Sequence, residues 1–282
     1  LVEVVVLGIM TTGITSKTLV RDSIYSAVML DINGILGIAA LIGGFKHGEQ
    51  SYNDDSARTY SAMILTAMGI SMMVPEFIAK EAWRAYSIFT IITMLLLYGV
   101  FLRMQAGPHS YFFSYSYPDQ KRRRLPAAAA DIGRAHSIAV MVGGIAVVGV
   151  LAELLPKALE HGLQGINVPL GTIALIVAII SATPEILTAL RAALANRMQS
   201  VVNIAMGASL STVVLTVPSM EALALYSGQP FQMAMTPVQT VMMLLTLVVV
   251  AINLNDGQTN AIEGMTHFVL FATFMMLFSL GI

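Results

Sequence analysis

Apolar stretches of about the 20 residues that a helix needs to cross hydrocarbon recur at 22–44, 59–78, 83–104, 134–155, 168–192, 198–226, 236–255 and 261–282. They predict eight transmembrane helices. An earlier apolar run, Leu1 to Thr12, is too short to span, and no signal peptide precedes it, so the sequence is expected to begin inside a transmembrane helix. With 56% hydrophobic and 11% charged residues and a mean hydropathy of +0.77, the chain is far too apolar for a soluble domain. The net charge of −1 gives no support for a nucleic-acid partner. The absence of cysteine excludes disulfides, thiolate metal sites and cysteine nucleophiles. The 19 methionines are scattered, as lipid-facing or packing residues are, and do not cluster as metal ligands would.

The longest polar interruption, 105–133, holds the aromatic stretch Tyr111 to Tyr117, the basic run Lys121 to Arg124 and an alanine tract. It reads as a linker between two bundles, 1–104 and 134–282. Lys and Arg in alternate loops number ten on the linker's side and five on the other (Lys17, Arg21, Lys80, Arg84 and Lys157), which by the positive-inside rule puts the linker in the cytoplasm. The helix at Leu1 then runs outward and the helix carrying Glu185 runs inward. These two oppositely directed helices begin segments that resemble each other. Laying Glu3 on Glu185 brings Asp22 onto Asn203 and Ser26 onto Gly207, one residue out of step with the glutamates. An inverted-repeat transporter has this arrangement, with its two acidic helices meeting near the midplane.

Glu185 lies beside Pro184 in the otherwise apolar run Leu170 to Leu190. A bare charge at bilayer depth costs roughly 3 kcal/mol or more. Proline there is expected to break the helical ladder and free carbonyls for a cation. Two facing glutamates cannot both stay ionised in low dielectric without a counter-charge, which either a metal cation or protons supply. Mutual exclusion of the two is a mechanism for antiport. An all-oxygen site suits a hard ion such as Ca2+, which takes about six to eight oxygens, and Na+ or K+ accepts the same donors. Candidate helpers are Asn203, Ser209, Ser211 and Thr212 after Glu185, and Asp22, Ser23 and Ser26 on the matching helix.

Each candidate has a plainer reading. Glu185 pairs with Arg191, Asp22 pairs with Arg21 at a helix start, and Ser209, Ser211 and Thr212 are small packing residues. Asp31 and Asn33 either extend the ion path or hydrogen-bond across a helix contact. His267 is either a satisfied packing histidine or a proton relay. Glu153 and Glu221, near Pro156 and Pro218, read as solvated or interfacial residues at helix ends.

Thr-Pro-Glu-Ile-Leu at 183–187, Ala-Leu-Ala-Asn-Arg-Met-Gln at 193–199 and Asn-Ile-Ala-Met-Gly-Ala-Ser-Leu-Ser-Thr at 203–212 resemble the second repeat of bacterial calcium/proton (sodium/proton) antiporters of the Cha type, in the calcium/cation antiporter superfamily. Leu-Val-Glu-Val-Val, Arg-Asp-Ser-Ile-Tyr-Ser-Ala-Val-Met and Asn-Gly-Ile-Leu-Gly resemble the first repeat, and Tyr-Gly-Val-Phe-Leu, Gly-Gln-Thr-Asn and Gly-Met-Thr-His extend the likeness over the whole chain. The resemblance implies an all-α, polytopic bundle of two inverted five-helix repeats after an extra first helix, the sodium/calcium exchanger fold, with two helices and part of a third before Leu1. It implies that ion-exchanging glutamates on the third and eighth helices carry over to Glu3 and Glu185, as ligands for both metal ion and proton. The family's Gly-Asn-Ala motif is replaced at Glu185 by Ala-Thr-Pro-Glu, and Asp31 is an acid outside the family pattern; both bear on selectivity.

The sequence therefore predicts a secondary antiporter of the bacterial inner membrane that exports Ca2+, Na+ or K+ as protons enter and needs no cofactor. The alternatives are a membrane-embedded enzyme using paired acids, against which the lack of catalytic Asp or His-Glu motifs argues, and a passive channel.

Overall fold

In hydrocarbon every backbone amide must find its carbonyl within the same segment, so the long apolar runs fold as helices. A computed structural model describes residues 18–107, 110–115, 170–228 and 232–280, with isolated positions between 136 and 154. Those isolated positions are helical, the state expected for 134–155. Leu1 to Thr12 with Glu3, the basic run 121–124, and Glu153 lie outside the described residues.

The first described helix is built in three parts: α1 (Leu19–Met29), a π-helical turn (Leu30–Leu36) and α2 (Gly37–His47). After β1 (Gln50–Ser51), α3 (Asp54–Met68) passes through a π turn (Gly69–Met73) and a 3-10 turn (Val74–Phe77). A second 3-10 turn (Lys80–Ala82) leads into α4 (Trp83–Ala106). In the other half come α5 (Leu170–Leu194), α6 (Met198–Ser211), a π turn (Thr212–Thr216), α7 (Val217–Ser227), α8 (Pro237–Asn253), β2 (Gln258–Thr259) and α9 (Ala261–Ser279). Among the described residues, five helical runs are long and apolar enough to cross a bilayer: Val20–His47, Asp54–Phe77, Lys80–Ala106, Met198–Ser227 and Ala261–Ser279. The architecture is an all-α membrane bundle.

The helix starts are fixed by local chemistry. Asn53 caps α3 through Asp55 N–H at 3.0 Å, and Asn260 caps α9. Thr236 and Gln239 form a reciprocal capping box around Pro237 at the first position of α8. The turn between α5 and α6 needs a left-handed residue, supplied by Asn196 (φ 56°), whose side chain accepts from Gln50 at 3.0 Å.

Val20–His47 is buried over most of its length at the centre of the bundle, against α5, α6 and α9. At the periphery, α4 turns Ile88, Ile92, Leu96 and Val100 outward, as a lipid-facing helix does. Close approach of α9 to α2 depends on glycines: a Cβ on Gly37 would lie 2.7 Å from the His267 Cβ, and one on Gly264 would strike the Leu41 backbone.

The linker end of the bundle is tied shut. Gln50 and Ser51 pair antiparallel with Thr259 and Gln258, and Lys46 and His47 both reach the Leu194 carbonyl at 3.0 Å, at the negative end of α5. Part of the 105–133 stretch packs into this closure. Ser110–Phe113 forms a 3-10 turn whose Phe113 ring packs edge-on against Tyr60 and Phe101, because an aromatic cluster there buries apolar surface a loose linker would expose. Tyr52 donates to the Gln258 carbonyl at 2.9 Å and lies near the Asn253 carbonyl. Burial first, and then Asp256, Glu263 and Asp54, push its phenol above the ordinary value, so it remains a donor. Tyr52→Phe is expected to lower stability by about 1–2 kcal/mol, read as a lower unfolding temperature in detergent.

Candidate functional site

The two longest central helices carry the same interruption. A π turn adds a residue to the helical ladder and is frequent at functional sites. One occupies Leu30–Leu36 and the other Thr212–Thr216. Asp31 to Thr212 is 181 residues (212 − 31), the same step as Asp22 to Asn203 (203 − 22), so the two turns stand at matching positions of the internal repeat. The Leu30–Leu36 turn packs on α5, α6 and α9.

That turn brings polar side chains together in an otherwise apolar core. Asp31, 4% exposed, accepts from the Ser209 hydroxyl of α6 at 3.2 Å, which joins the two halves. Asn33 is fully buried, and its amide donates to Thr246 Oγ1 of α8 at 2.7 Å. Its Oδ1 lies 3.0 Å from His267 Nδ1. An amide oxygen only accepts, so Nδ1 carries the hydrogen. The buried His267 Nε2 then has a lone pair and no partner. Met29 Sδ lies 3.6 Å from both Asn33 Nδ2 and Thr246 Oγ1. Removing the hydroxyl in Thr246→Val is expected to cost about 1–3 kcal/mol, because it strands the Asn33 amide. Thermal unfolding beside Asn33→Ala measures it.

Glu185 is half-buried on α5, and its Oε2 is buried with no hydrogen-bond donor. The ion pairs among the described residues are Arg21–Asp22 and Arg58–Asp54, so Glu185 is not paired with Arg191. The expected helix break is absent: α5 runs unbroken through Pro184. A mid-helix proline removes its own amide donor, here the one for the Ile180 carbonyl, and its ring crowds that carbonyl, while the long flanking turns hold. Thr183 and Thr188 add hydroxyl bonds to the Ile179 and Pro184 carbonyls at 2.9 and 2.7 Å.

Several predicted helpers are engaged elsewhere. Asp22 pairs with Arg21 at 2.8 Å and accepts from Gln239 at 3.0 Å, while Arg21 also holds the Ala234 carbonyl. Asn203 accepts from Gln199 at 2.9 Å and donates to the Phe113 carbonyl at 2.9 Å, at the linker end. Ser211 bonds back to the Gly207 and Ala208 carbonyls of its own helix. Ser23, Ser26 and Thr212 are buried, Ser26 with an unpartnered hydroxyl oxygen. Glu221, expected to be solvated or interfacial, is not openly solvated. It is 4% exposed, because α7 continues beyond Pro218 as one helix packed on α4. Sequence reasoning missed Thr246, Gln199 and Gln239; each is a polar residue in a helix at the spacing of a membrane segment, which was the available signal.

The same bundle is found in known proteins. The solved structure of native YfkE superposes with a TM-score of 0.72 at 20% identity, covering 96% of this chain and 78% of that one. The sodium-potassium/proton antiporter ChaA of Escherichia coli (strain K12) is 30% identical over 275 residues, 95% of this chain and 74% of the relative. The Ca(2+)/H(+) antiporter ChaA of Bacillus subtilis (strain 168) is 24% identical over 258 residues, 88% of this chain and 71% of the relative. The sodium/calcium exchanger protein family model matches residues 2–107 and 136–280, which take in both central helices and their π turns, and the chain belongs to that family.

Proposed function

We propose that this chain is a secondary antiporter that exports Ca2+, Na+ or K+ in exchange for protons, with Glu3 and Glu185 alternately holding cation and proton. The observation that carries this reading is the Glu185 carboxylate: Oε2 is buried without a donor on a helix that packs against the Leu30–Leu36 turn. An unpartnered carboxylate oxygen at bilayer depth calls for a cation or a proton. Asp31, Ser209 and Asn33 supply further oxygens near the same turn, and His267 Nε2 supplies a proton acceptor. The relatives named as antiporters exchange K+, Na+ or Ca2+ with H+, and this chain shares their fold family. The excess of Lys and Arg around 105–133 supports a bacterial inner-membrane orientation with that stretch in the cytoplasm.

The test is proton movement in inverted vesicles with an acidified interior, challenged in turn with Ca2+, Na+ and K+. Proton release on addition of one ion establishes exchange and names the ion. Current without proton release, or no response to any of the three, overturns the reading. Asp31→Asn keeps an acceptor for Ser209 but removes a charge, and is expected to lower the response to Ca2+ relative to Na+ by about tenfold, because the lost Coulomb attraction is twice as large for a divalent ion.

A further inference from the structure

At the end of the bundle away from the 105–133 stretch, α7 carries a carboxylate that the exchange site does not use. Glu221 is 4% exposed, and its Oε2 is buried without a partner. It lines a cavity of about 570 Å³ together with Lys80, Trp83, Tyr86, Ser87 and Gln232. A space of that size admits water. Lys80 is exposed, so the cavity reaches the surface.

The groups facing Glu221 come from few elements. From the start of α4 and the turn before it come Lys80 and Tyr86. The Tyr86 hydroxyl is committed to the Ile70 carbonyl at 2.7 Å, and Arg84 is stacked over the Trp83 ring at 5.6 Å. The Thr212–Thr216 turn packs on both α7 and α4 and contributes no titratable group. Lys80 is thus the one charged side chain lining the cavity beside Glu221 among the described residues. This setting does not suit a metal ion. A hard divalent cation asks for about six to eight oxygens, whereas the lining offers a single carboxylate and a nearby cation. A proton needs one oxygen, arrives through water, and removes the charge whose burial is costly.

We infer that Glu221 is a proton-acceptor site at the mouth opposite the linker, where protons from the outer water bind before they reach the central carboxylates. This rests on the antiport reading. In the step itself, hydronium in the cavity transfers its proton to a Glu221 carboxylate oxygen, forming an O–H bond and leaving water; release is the reverse.

The test uses the full chain in proteoliposomes. Cation-driven proton movement is followed while the pH on the cavity side alone is varied, for wild type, Glu221→Gln and Glu221→Asp. The carboxyl C=O band is titrated in parallel by infrared difference spectroscopy. Glu221→Gln is expected to lose one titrating carboxyl band and to move the pH of half-maximal exchange by about one unit, a tenfold change in proton occupancy. Glu221→Asp is expected to restore both, with a displaced band. Superimposable pH profiles and an unchanged infrared titration overturn the proposal. A change in apparent cation affinity without a pH shift also overturns it, in favour of a cation site. Absence of exchange in the wild type would sink the antiport reading alone, because the infrared titration still reports whether Glu221 takes up a proton. If Glu221→Gln does not fold, the band displacement in Glu221→Asp decides.

Discussion

Glu185→Gln is expected to abolish cation-driven proton release while leaving the bundle folded. The amide has the shape of the carboxylate but can neither take up a proton nor balance a cation's charge. A cation left at bilayer depth without its balancing charge costs roughly 3 kcal/mol, and each 1.4 kcal/mol is tenfold. Exchange should therefore fall by at least about a hundredfold. The fold should survive, because Glu185 Oε2 has no hydrogen bond to lose and the residue is only half-buried. Proton release in inverted vesicles and elution as a single species in detergent measure the two halves of the claim. A variant that still exchanges at a tenth of the wild-type rate would move the central site away from Glu185.

Gly264→Val is expected to unfold or badly loosen the crossing of α2 and α9. A Cβ at Gly264 would collide with the Leu41 amide and lie 2.7 Å from its Cα and 2.8 Å from the Ala40 carbonyl carbon. These are backbone atoms of a central helix, which cannot rotate away as a side chain would. Overpacking of this kind costs about 1–3 kcal/mol or more. Relief requires α9 to back off, which also pulls His267 away from Asn33, one turn along from the glycine. The measurement is the unfolding temperature in detergent, with Gly69→Ala as control, since a Cβ there meets nothing within 4 Å. Equal unfolding temperatures for Gly264→Val and wild type would refute the close crossing.

Much of this molecule could be read from its sequence. The runs at 22–44, 59–78, 83–104, 168–192, 198–226 and 236–255 correspond within a few residues to observed helices, and 261–282 to Ala261–Ser279. The offset that lays Asp22 on Asn203 also aligns two π turns that no propensity argument anticipated. The site was legible less evenly. Asp31, Asn33, Ser209 and His267 stood out as polar residues in apolar helices, and they do meet partners in the core. Asp22 and Asn203 stood out equally, yet Gln239 and Gln199 engage them in contacts near the helix ends. Glu221 reads as solvated or interfacial from its neighbouring proline, but the helical run Met198–Ser227 continues through Pro218 and packs the glutamate against α4.

The sequence by itself determined where the chain is helical and how far along each helix a polar group lies. Hydrocarbon leaves the backbone no other partner, and each residue advances the helix by about 1.5 Å. Only the tertiary structure decided which way those groups face. A helix that is apolar around its whole circumference carries no stripe to mark its inner side. The direction is set instead by contacts such as those of Gly37 and Gly264, which join Asn33 to His267 across 234 residues of chain.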